Sequence, residues 1–181
     1  LKCQKIYLVR SMTSKRKIFI AVDTNKVSRA KKIIRDTQTK KIKIGYKFGL
    51  EFFYSKDGRK FISSLKNQTI FLDLKLNDIP NTVVSALKSL KNLKISYLTV
   101  HLSSGLSALK ALKKESKNIK IAGVTTLTSL NNKDLKEIGY NKKVNELVKH
   151  QVKLAKKSKL DAIVCSGHEI KQVRSFFKKE I

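Results

Sequence analysis

Short apolar runs alternate with amphipathic stretches along most of the chain. Each run is followed by a stretch with apolar residues at helical spacing, such as Val27, Ala30, Ile33 and Ile34 after the first one. Short strands that alternate with helices are typical of βαβ units, and nearly continuous apolar runs are typical of parallel strands covered on both faces. We predict six strands, at residues 17–23, 41–46, 69–75, 97–102, 119–127 and 161–166.

The spacing of these units favours one α/β architecture over another. The ends of the first and last runs, Asp23 and Ser166, are separated by five intervals of about 29 residues, close to the ~31 residues per unit of a (β/α)8 barrel. A doubly wound sheet fits the pattern nearly as well, but no glycine-rich phosphate loop follows the first run. We therefore expect a TIM (β/α)8 barrel of the α/β class over residues 17–181, incomplete here with about six βα units.

Residues 1–16 are expected to be an extension outside this fold, and residues 1–11 show no clear period. The only methionine is Met12, so we expect translation to start there and residues 1–11 not to be native. No run approaches the ~18 apolar residues of a membrane span. The stretch IYLVR is too short and too interrupted for the core of a signal peptide.

The charge balance is strongly basic, with 41 Lys and Arg against 13 Asp and Glu, a formal charge of +28. Such a balance is typical of proteins that bind nucleic acids, anionic membranes or anionic substrates. The basic residues are nearly all lysines spread along the whole chain, which favours solvated lysine faces over one binding patch. Cys3 and Cys165 lie at opposite ends, and a domain of this size needs no disulfide, so we expect a reduced, cytoplasmic protein.

The stretch FLDLKLNDIPNT, residues 71–82, places acid, base and acid where an apolar strand ends. Asp73 and Lys75 are two residues apart and should leave the same face of the strand, while Asp78 falls in the following loop. A lysine between two carboxylates is held in its charged form, which suits proton donation and stabilisation of developing negative charge. Lys43 on the neighbouring strand is expected to join them as a second cation. A loop salt bridge without catalytic function is the alternative that these residues leave open.

Other polar residues give weaker signals. His101 ends the fourth run and is interpreted as a hydrogen-bonded structural histidine. No second His or Cys stands at the spacing that a zinc site requires. No Ser or Cys has an evident His–Asp relay, so the sequence does not favour nucleophilic catalysis.

The stretch FLDLKLNDIPNT resembles the signature of the orotidine 5′-phosphate decarboxylases. Relatives on the same scaffold, the keto-gulonate-phosphate decarboxylases and hexulose-phosphate synthases, share Asp-x-Lys-x-x-Asp but follow it with Ala-Gly and use a metal. The resemblance covers the chain from about residue 17 to its end. Further similar stretches are IAVD at 20–23, KIG at 43–45, VHLSSG at 100–105, VTTLTS at 124–129 and IVCSGHE at 163–169.

The resemblance implies decarboxylation of orotidine 5′-monophosphate to UMP, without cofactor or metal, by a homodimer with shared active sites. Lys75 would protonate the C6 carbanion, and Asp73 would lie against the substrate carboxylate. Asp23 and Lys43 would bind the ribose hydroxyls, with Lys43 also in the charged network. Asp78, Ile79 and Thr82 would enter the active site of the partner subunit. Thr128 would contact the pyrimidine.

The sequence departs from this family at its end. The family's phosphate-binding residues, a Thr-Pro-Gly-Ile-Arg-like segment, a later Gln and a Gly-Arg pair, would follow SFFKKEI, where this chain stops. We therefore expect the 181-residue chain to be a truncated enzyme that is inactive alone. The alternatives are a metal-dependent sugar-phosphate decarboxylase or aldolase of the same barrel group, and a basic nucleic-acid-binding module, for which no signature motif is present.

Overall fold

The computed structural model describes residues 17–179 and the backbone of Ile6–Val9. These residues form two compact units. The first contains the described residues up to Leu74 together with Lys88–Leu98, and the second contains Lys75–Leu87 and the described residues from Thr99 onward. Cys3 and Met12, on which two of the sequence-based expectations rest, lie outside the described residues.

Strands and helices alternate as the sequence pattern predicts, and the strands follow chain order in the sheet. The strands are β1 (Ile6–Val9), β2 (Lys17–Ala21), β3 (Lys43–Gly49), β4 (Thr69–Leu76), β5 (Tyr97–His101), β6 (Lys120–Val124) and β7 (Ala162–Val164). The helices are α1 (Val27–Thr37), α2 (Leu50–Phe53), α3 (Gly58–Ser64), α4 (Pro80–Ser89), α5 (Gly105–Glu115), α6 (Asn132–Glu137), α7 (Val144–Lys157) and α8 (Ile170–Phe176).

All six predicted βα units are present, beginning at β2. The pairs β2–β3, β3–β4 and β6–β7 are parallel, as the near-continuous apolar runs indicate. The bounds of several strands differ from the prediction. β3 extends to Gly49, three residues beyond its predicted end at 46. β6 ends at Val124, three residues before its predicted end at 127, and β7 is shorter than predicted at both ends. Among the described residues, no helix is long and apolar enough to cross a membrane.

The segment before residue 17 also differs from expectation, since Ile6–Val9 forms a strand. This strand pairs antiparallel with β2, and Tyr7 lies opposite Phe19. The sequence pattern predicts no element in residues 1–16, because four residues are too few to establish a period of two. The backbone edge of β2 that faces away from β3 is therefore paired along Lys17–Ile20.

The first unit is held by aromatic side chains between its strands. The rings of Phe19, Phe71 and Tyr97 have centroid separations of 5.1 to 5.4 Å, and Phe71 stacks on Tyr97. Burying three aromatic side chains together contributes several kcal/mol of hydrophobic free energy. Gly45 gives Phe19 the room it needs, because a Cβ at Gly45 would lie 2.5 Å from the Phe19 ring.

The second unit has an aliphatic core and one ion pair that joins three segments. Its fully buried residues include Leu109, Ile121 and Val152. Asp161 accepts hydrogen bonds from Lys113 Nζ of α5 at 2.6 and 2.8 Å and from the backbone N–H of Ile121 at 2.9 Å. This pair fixes the start of β6 against the segment that precedes β7.

Candidate active site

A nearly buried ion pair lies at the carboxyl ends of two neighbouring strands in the first unit. Lys47 Nζ of β3 donates to Asp73 Oδ2 of β4 at 2.8 Å, and the two side chains are 12% and 10% exposed. The two opposite charges stabilise each other, and an ion pair in so poorly solvated a place is costly to break. An arrangement of this kind can hold a carboxylate in a fixed position against a bound anion.

The register of the strands explains why Lys47 meets Asp73. Lys47 lies opposite Phe71, and Gly49 lies opposite Asp73. On the other side of β3, the backbone N–H of Val22 donates to the Lys47 carbonyl at 2.8 Å. Asp23 follows Val22 directly and is exposed, so its backbone lies at the same end of the strands as Lys47 and Asp73. The structure thus places Asp23 and Asp73 at the edge of the sheet where the sequence predicted them.

The sequence-based placement of Lys43 beside Asp73 is wrong. Lys43 is the first residue of β3 and is exposed. It lies opposite Lys17, at the amino end of the strands. Gly49, the partner of Asp73, is six residues further along β3, or about 20 Å in an extended strand. The second cation of the predicted charge network is therefore Lys47, and Lys43 is not part of it.

The backbone of Lys75, in the second unit, departs from a regular strand. Its φ is 49°, in the left-handed region, which costs a non-glycine residue on the order of 1–2 kcal/mol. Its N–H donates at 2.8 Å to Thr99 Oγ1 of β5, and Thr99 is fully buried. The simple alternation from which the direction of the Lys75 side chain was predicted does not hold at this residue.

The start of α4 presents three of the predicted residues to solvent. Asp78 and Thr82 are exposed, and Ile79 is 65% exposed. Asp78 Oδ1 accepts from the N–H of Ile79 at 2.7 Å, and Pro80 opens the helix as expected for a residue without an N–H. Ser104 Oγ donates to Asn77 Oδ1 at 2.9 Å and so ties this loop to the segment after β5.

Thr128 lies in an exposed turn after β6. The segment before it is anchored by Gln151 of α7, whose Oε1 accepts from the backbone N–H of Thr126 at 2.8 Å and from its hydroxyl at 3.2 Å. Both Thr126 and Gln151 are buried. A buried glutamine that satisfies two donors fixes the start of the turn that carries Thr128.

His101 and Cys165 are two further polar residues at strand ends. His101 ends β5, as predicted, and is half-buried. Cys165 is a free thiol. Its burial raises its pKa from 9.0 to about 11; the negative charge of Glu169 adds a smaller increase, and the positive charge of Arg174 opposes it. In the part of the chain that the structure describes, no three His, Cys, Asp or Glu side chains gather as a metal-binding group.

Sequence reasoning missed Lys47, Thr99 and Gln151. Lys47 had a usable signal, because the chain contains two Lys-x-Gly triplets in succession, at 43–45 and 47–49, and only the second reaches the end of a strand that extends through Tyr46 and Phe48. Thr99 and Gln151 act through contacts between elements that are distant in the sequence. Nothing in their local patterns distinguishes them from other polar residues in a strand or a helix.

Residues 16–181 match the model of the "Orotidine 5'-phosphate decarboxylase / HUMPS family". The chain is 36% identical over 169 residues to the orotidine 5′-phosphate decarboxylase of Carboxydothermus hydrogenoformans, and the aligned region covers 88% of this chain and 69% of that protein. It is 40% identical over 138 residues to the enzyme of the same name from Ehrlichia chaffeensis, which covers 74% of this chain but only 59% of that protein.

The fold is similar to that of a solved enzyme as well. The structure of orotidine 5′-phosphate decarboxylase from Lactobacillus acidophilus superposes with a TM-score of 0.71 at 30% identity, covering 87% of this chain and 74% of that one. The predicted resemblance and the prediction of six βα units of a (β/α)8 barrel are thereby confirmed. The similarity gives no support to a nucleic-acid-binding module.

Proposed function

Because this chain belongs to the orotidine 5′-phosphate decarboxylase / HUMPS family, we propose that it carries the proton-delivering part of an orotidine 5′-phosphate decarboxylase. The reaction converts orotidine 5′-monophosphate to UMP in the de novo synthesis of pyrimidines. The observation that carries this proposal is the nearly buried Lys47–Asp73 ion pair at the carboxyl ends of β3 and β4. Lys75 follows two residues later in the same strand.

The chemistry requires a fixed cation beside the reacting carbon. When the bond between C6 and the carboxylate breaks, CO₂ leaves and the electron pair stays on C6 without a conjugated sink. The Lys75 ammonium stabilises that charge and then transfers a proton from Nζ to C6, which forms the C6–H bond of UMP. The lysine is left neutral and takes a proton back from solvent before the next turnover.

Asp73 is assigned to the side of the departing carboxylate. Its position is fixed by Lys47 at 2.8 Å, so it cannot easily turn away from an incoming anion. Repulsion between Asp73 and the substrate carboxylate would favour loss of CO₂, with binding of more distant parts of the substrate offsetting the cost. In this proposal Lys47 takes the role in the charge network and in ribose binding that the sequence analysis gave to Lys43.

The other substrate contacts stay with the residues predicted from the sequence. Asp23 lies at the carboxyl end of β2 and is exposed, as a carboxylate that accepts hydrogen bonds from ribose hydroxyls must be. Thr128 is exposed in the turn after β6, where its hydroxyl can reach the polar edge of a pyrimidine. Both assignments concern binding, so their loss should raise KM more than it lowers kcat.

A homodimer with shared sites is part of the proposal. Asp78, Ile79 and Thr82 are all exposed at the start of α4. A large aliphatic side chain such as Ile79, 65% exposed beside a carboxylate, suits entry into a second subunit better than prolonged contact with water. In this arrangement each site would combine Lys75 of one subunit with Asp78 of the other.

Subunit mixing tests the shared site. Lys75→Ala and Asp78→Asn should each be nearly inactive alone, while an equilibrated mixture of the two should regain about a quarter of the parent activity, because half of the dimers are mixed and each has one intact site. Sedimentation at the assay concentration gives the oligomeric state. A mixture that stays inactive although mixed dimers form would contradict the sharing of Asp78.

A cytoplasmic location is proposed with the enzyme, supported by cysteine usage. Cys165 is a half-buried free thiol among the described residues, and two cysteines in 181 residues are far fewer than the disulfide frameworks of small secreted domains contain. Fractionation of the source cells with an antibody against the chain would test this location, with recovery in the membrane or secreted fraction as the contradicting result.

The assay for the function follows the absorbance of orotidine 5′-monophosphate. The compared relatives are longer than this chain, so the assay uses the 181-residue chain and a version of it extended to the length of those relatives. We expect the extended version to consume the substrate at the same rate with and without EDTA. Loss of activity with EDTA, restored by a divalent metal, would favour the sugar-phosphate chemistry of the family's other members.

A further inference from the structure

The hydrogen bond between Lys75 and Thr99 is unusual for neighbouring strands. In a regular ladder the N–H of a strand residue donates to a backbone carbonyl of the next strand. Here the N–H of Lys75 donates to a side-chain hydroxyl instead, Thr99 Oγ1, at 2.8 Å. Both residues belong to the second unit.

The hydroxyl is matched to the conformation of Lys75. A φ of 49° rotates the peptide N–H away from the direction that it has in an extended strand. Thr99 is fully buried, and its β-branched side chain has a restricted χ1 angle in a strand. The acceptor is therefore a rigid atom held at the place to which the left-handed backbone brings the N–H.

Lys117 and Lys159 are also left-handed, but both are exposed residues that follow helices. Lys75 lies within a strand, where a left-handed residue persists only if the surrounding structure holds it. The direction in which a side chain leaves the backbone depends on φ, so a relaxation of Lys75 to extended geometry would move its ammonium. We propose that Thr99 is a positioning residue, whose hydroxyl holds the Lys75 backbone in its left-handed conformation and thereby aims the Lys75 ammonium. The proposal deepens the proposed function and rests on it for its catalytic consequence.

The backbone part of this inference is tested without any activity measurement. In the ¹⁵N-labelled 181-residue chain, the three-bond amide–α-proton coupling reports φ of Lys75, and hydrogen exchange reports protection of its N–H. Thr99→Val keeps the shape of the side chain and removes the hydrogen-bond acceptor. In this variant we expect the Lys75 coupling constant to take the value of an extended strand and the Lys75 N–H to exchange about five- to tenfold faster. Thr99→Ser, which keeps the oxygen, should retain the parent values.

The matched control is Thr125→Val, which alters another buried threonine of the same unit and should leave the Lys75 signals unchanged. Retention of the left-handed coupling and of the protection in Thr99→Val would overturn the proposal. If Thr99→Val does not fold, the parent chain alone tests the proposal. A Lys75 coupling constant typical of an extended strand, or a Lys75 N–H without protection from exchange, would overturn the proposal in the parent as well.

The catalytic part is tested in the preparation that decarboxylates the substrate. Thr99→Val should lower kcat by about 100-fold, the effect expected of a displacement of about 1 Å, with little change in KM and with recovery in Thr99→Ser. An unchanged kcat would overturn the positioning role even if the backbone relaxes. A parent enzyme that converts no substrate would refute the proposed function, while the backbone measurement would still decide whether Thr99 holds Lys75.

Discussion

At the scale of single residues, the candidate site depends on which lysine faces which carboxylate. Lys43 and Lys47 stand in the same local pattern, Lys-x-Gly, four residues apart. Only Lys47 lies next to Asp73, at 2.8 Å, whereas Lys43 is exposed at the opposite end of the strand. The pair therefore offers a matched comparison between an ion-paired lysine and a solvated one.

Replacing each lysine by alanine should separate these two positions. Lys47→Ala removes the ammonium that lies 2.8 Å from the Asp73 carboxylate, which is only 10% exposed, and we expect the free energy of unfolding to fall by about 3 kcal/mol. Lys43→Ala changes an exposed side chain and should stay within about 0.5 kcal/mol of the parent. Urea denaturation of the three proteins measures the difference, and equal losses in the two variants would contradict the assigned pair.

Cys165 predicts a dependence of stability on pH. Its pKa in the folded protein is about 11, against an ordinary value of 9.0, so the unfolded chain loses this proton first as the pH rises. The thiol therefore does not affect the pH dependence of stability at neutral pH, and it destabilises the fold progressively between about pH 9 and 11. Denaturation at pH 8 and pH 10 should show a smaller loss for Cys165→Ala than for the parent, and parallel losses would rule out the buried thiol as a cause.

At the scale of elements, the strands and helices were predictable because their apolar runs are long and regular. The short α6 and the long α7 lie within one or two residues of the stretches near 131–138 and 144–158 that the sequence suggested. The end of β3 was not predictable in this way, because Lys47 and Gly49 interrupt its apolar run. Strand register, which decides that Asp73 meets Lys47, is a property of two strands together and cannot be read from either one.

The two glycines of β3 test the packing of that strand. A Cβ at Gly45 would lie 2.5 Å from the Phe19 ring and 2.9 Å from the Thr69 carbonyl, whereas a Cβ at Gly49 meets nothing within 4 Å. Gly45→Ala should therefore destabilise the protein by about 1–3 kcal/mol through overpacking, and Gly49→Ala should be nearly neutral. Thermal unfolding measures both, and a neutral Gly45→Ala would show that Phe19 can move aside freely.

The KIG triplet at residues 43–45, one of the stretches that resemble the family, has a structural role in β3. Its glycine has a packing role against Phe19, and its lysine is exposed. The left-handed backbone of Lys75 is likewise absent from any local pattern, because lysine has no preference for positive φ. It is accompanied by a hydrogen bond to Thr99, which is 24 residues away in the sequence.

At the scale of the whole molecule, charge and function have to be reconciled. A formal charge of +28 speeds the capture of an anionic substrate and favours weak binding to polyanions. The described acidic residues include Asp73 and Asp161, both of which are engaged by lysines, Lys47 and Lys113. Most of the other lysines in the described part of the chain are exposed, which agrees with solvated lysines spread along the chain.

The central claim is that Lys75 delivers the proton to C6, and one comparison tests it most directly. Decarboxylation of orotidine 5′-monophosphate is measured for the extended version of the chain, for Lys75→Ala and for Lys94→Ala, which changes an exposed lysine outside the candidate site. We expect Lys75→Ala to lower kcat by about 10²- to 10⁴-fold while it still binds UMP, and Lys94→Ala to match the parent. Decarboxylation by Lys75→Ala at the parent rate would contradict the account.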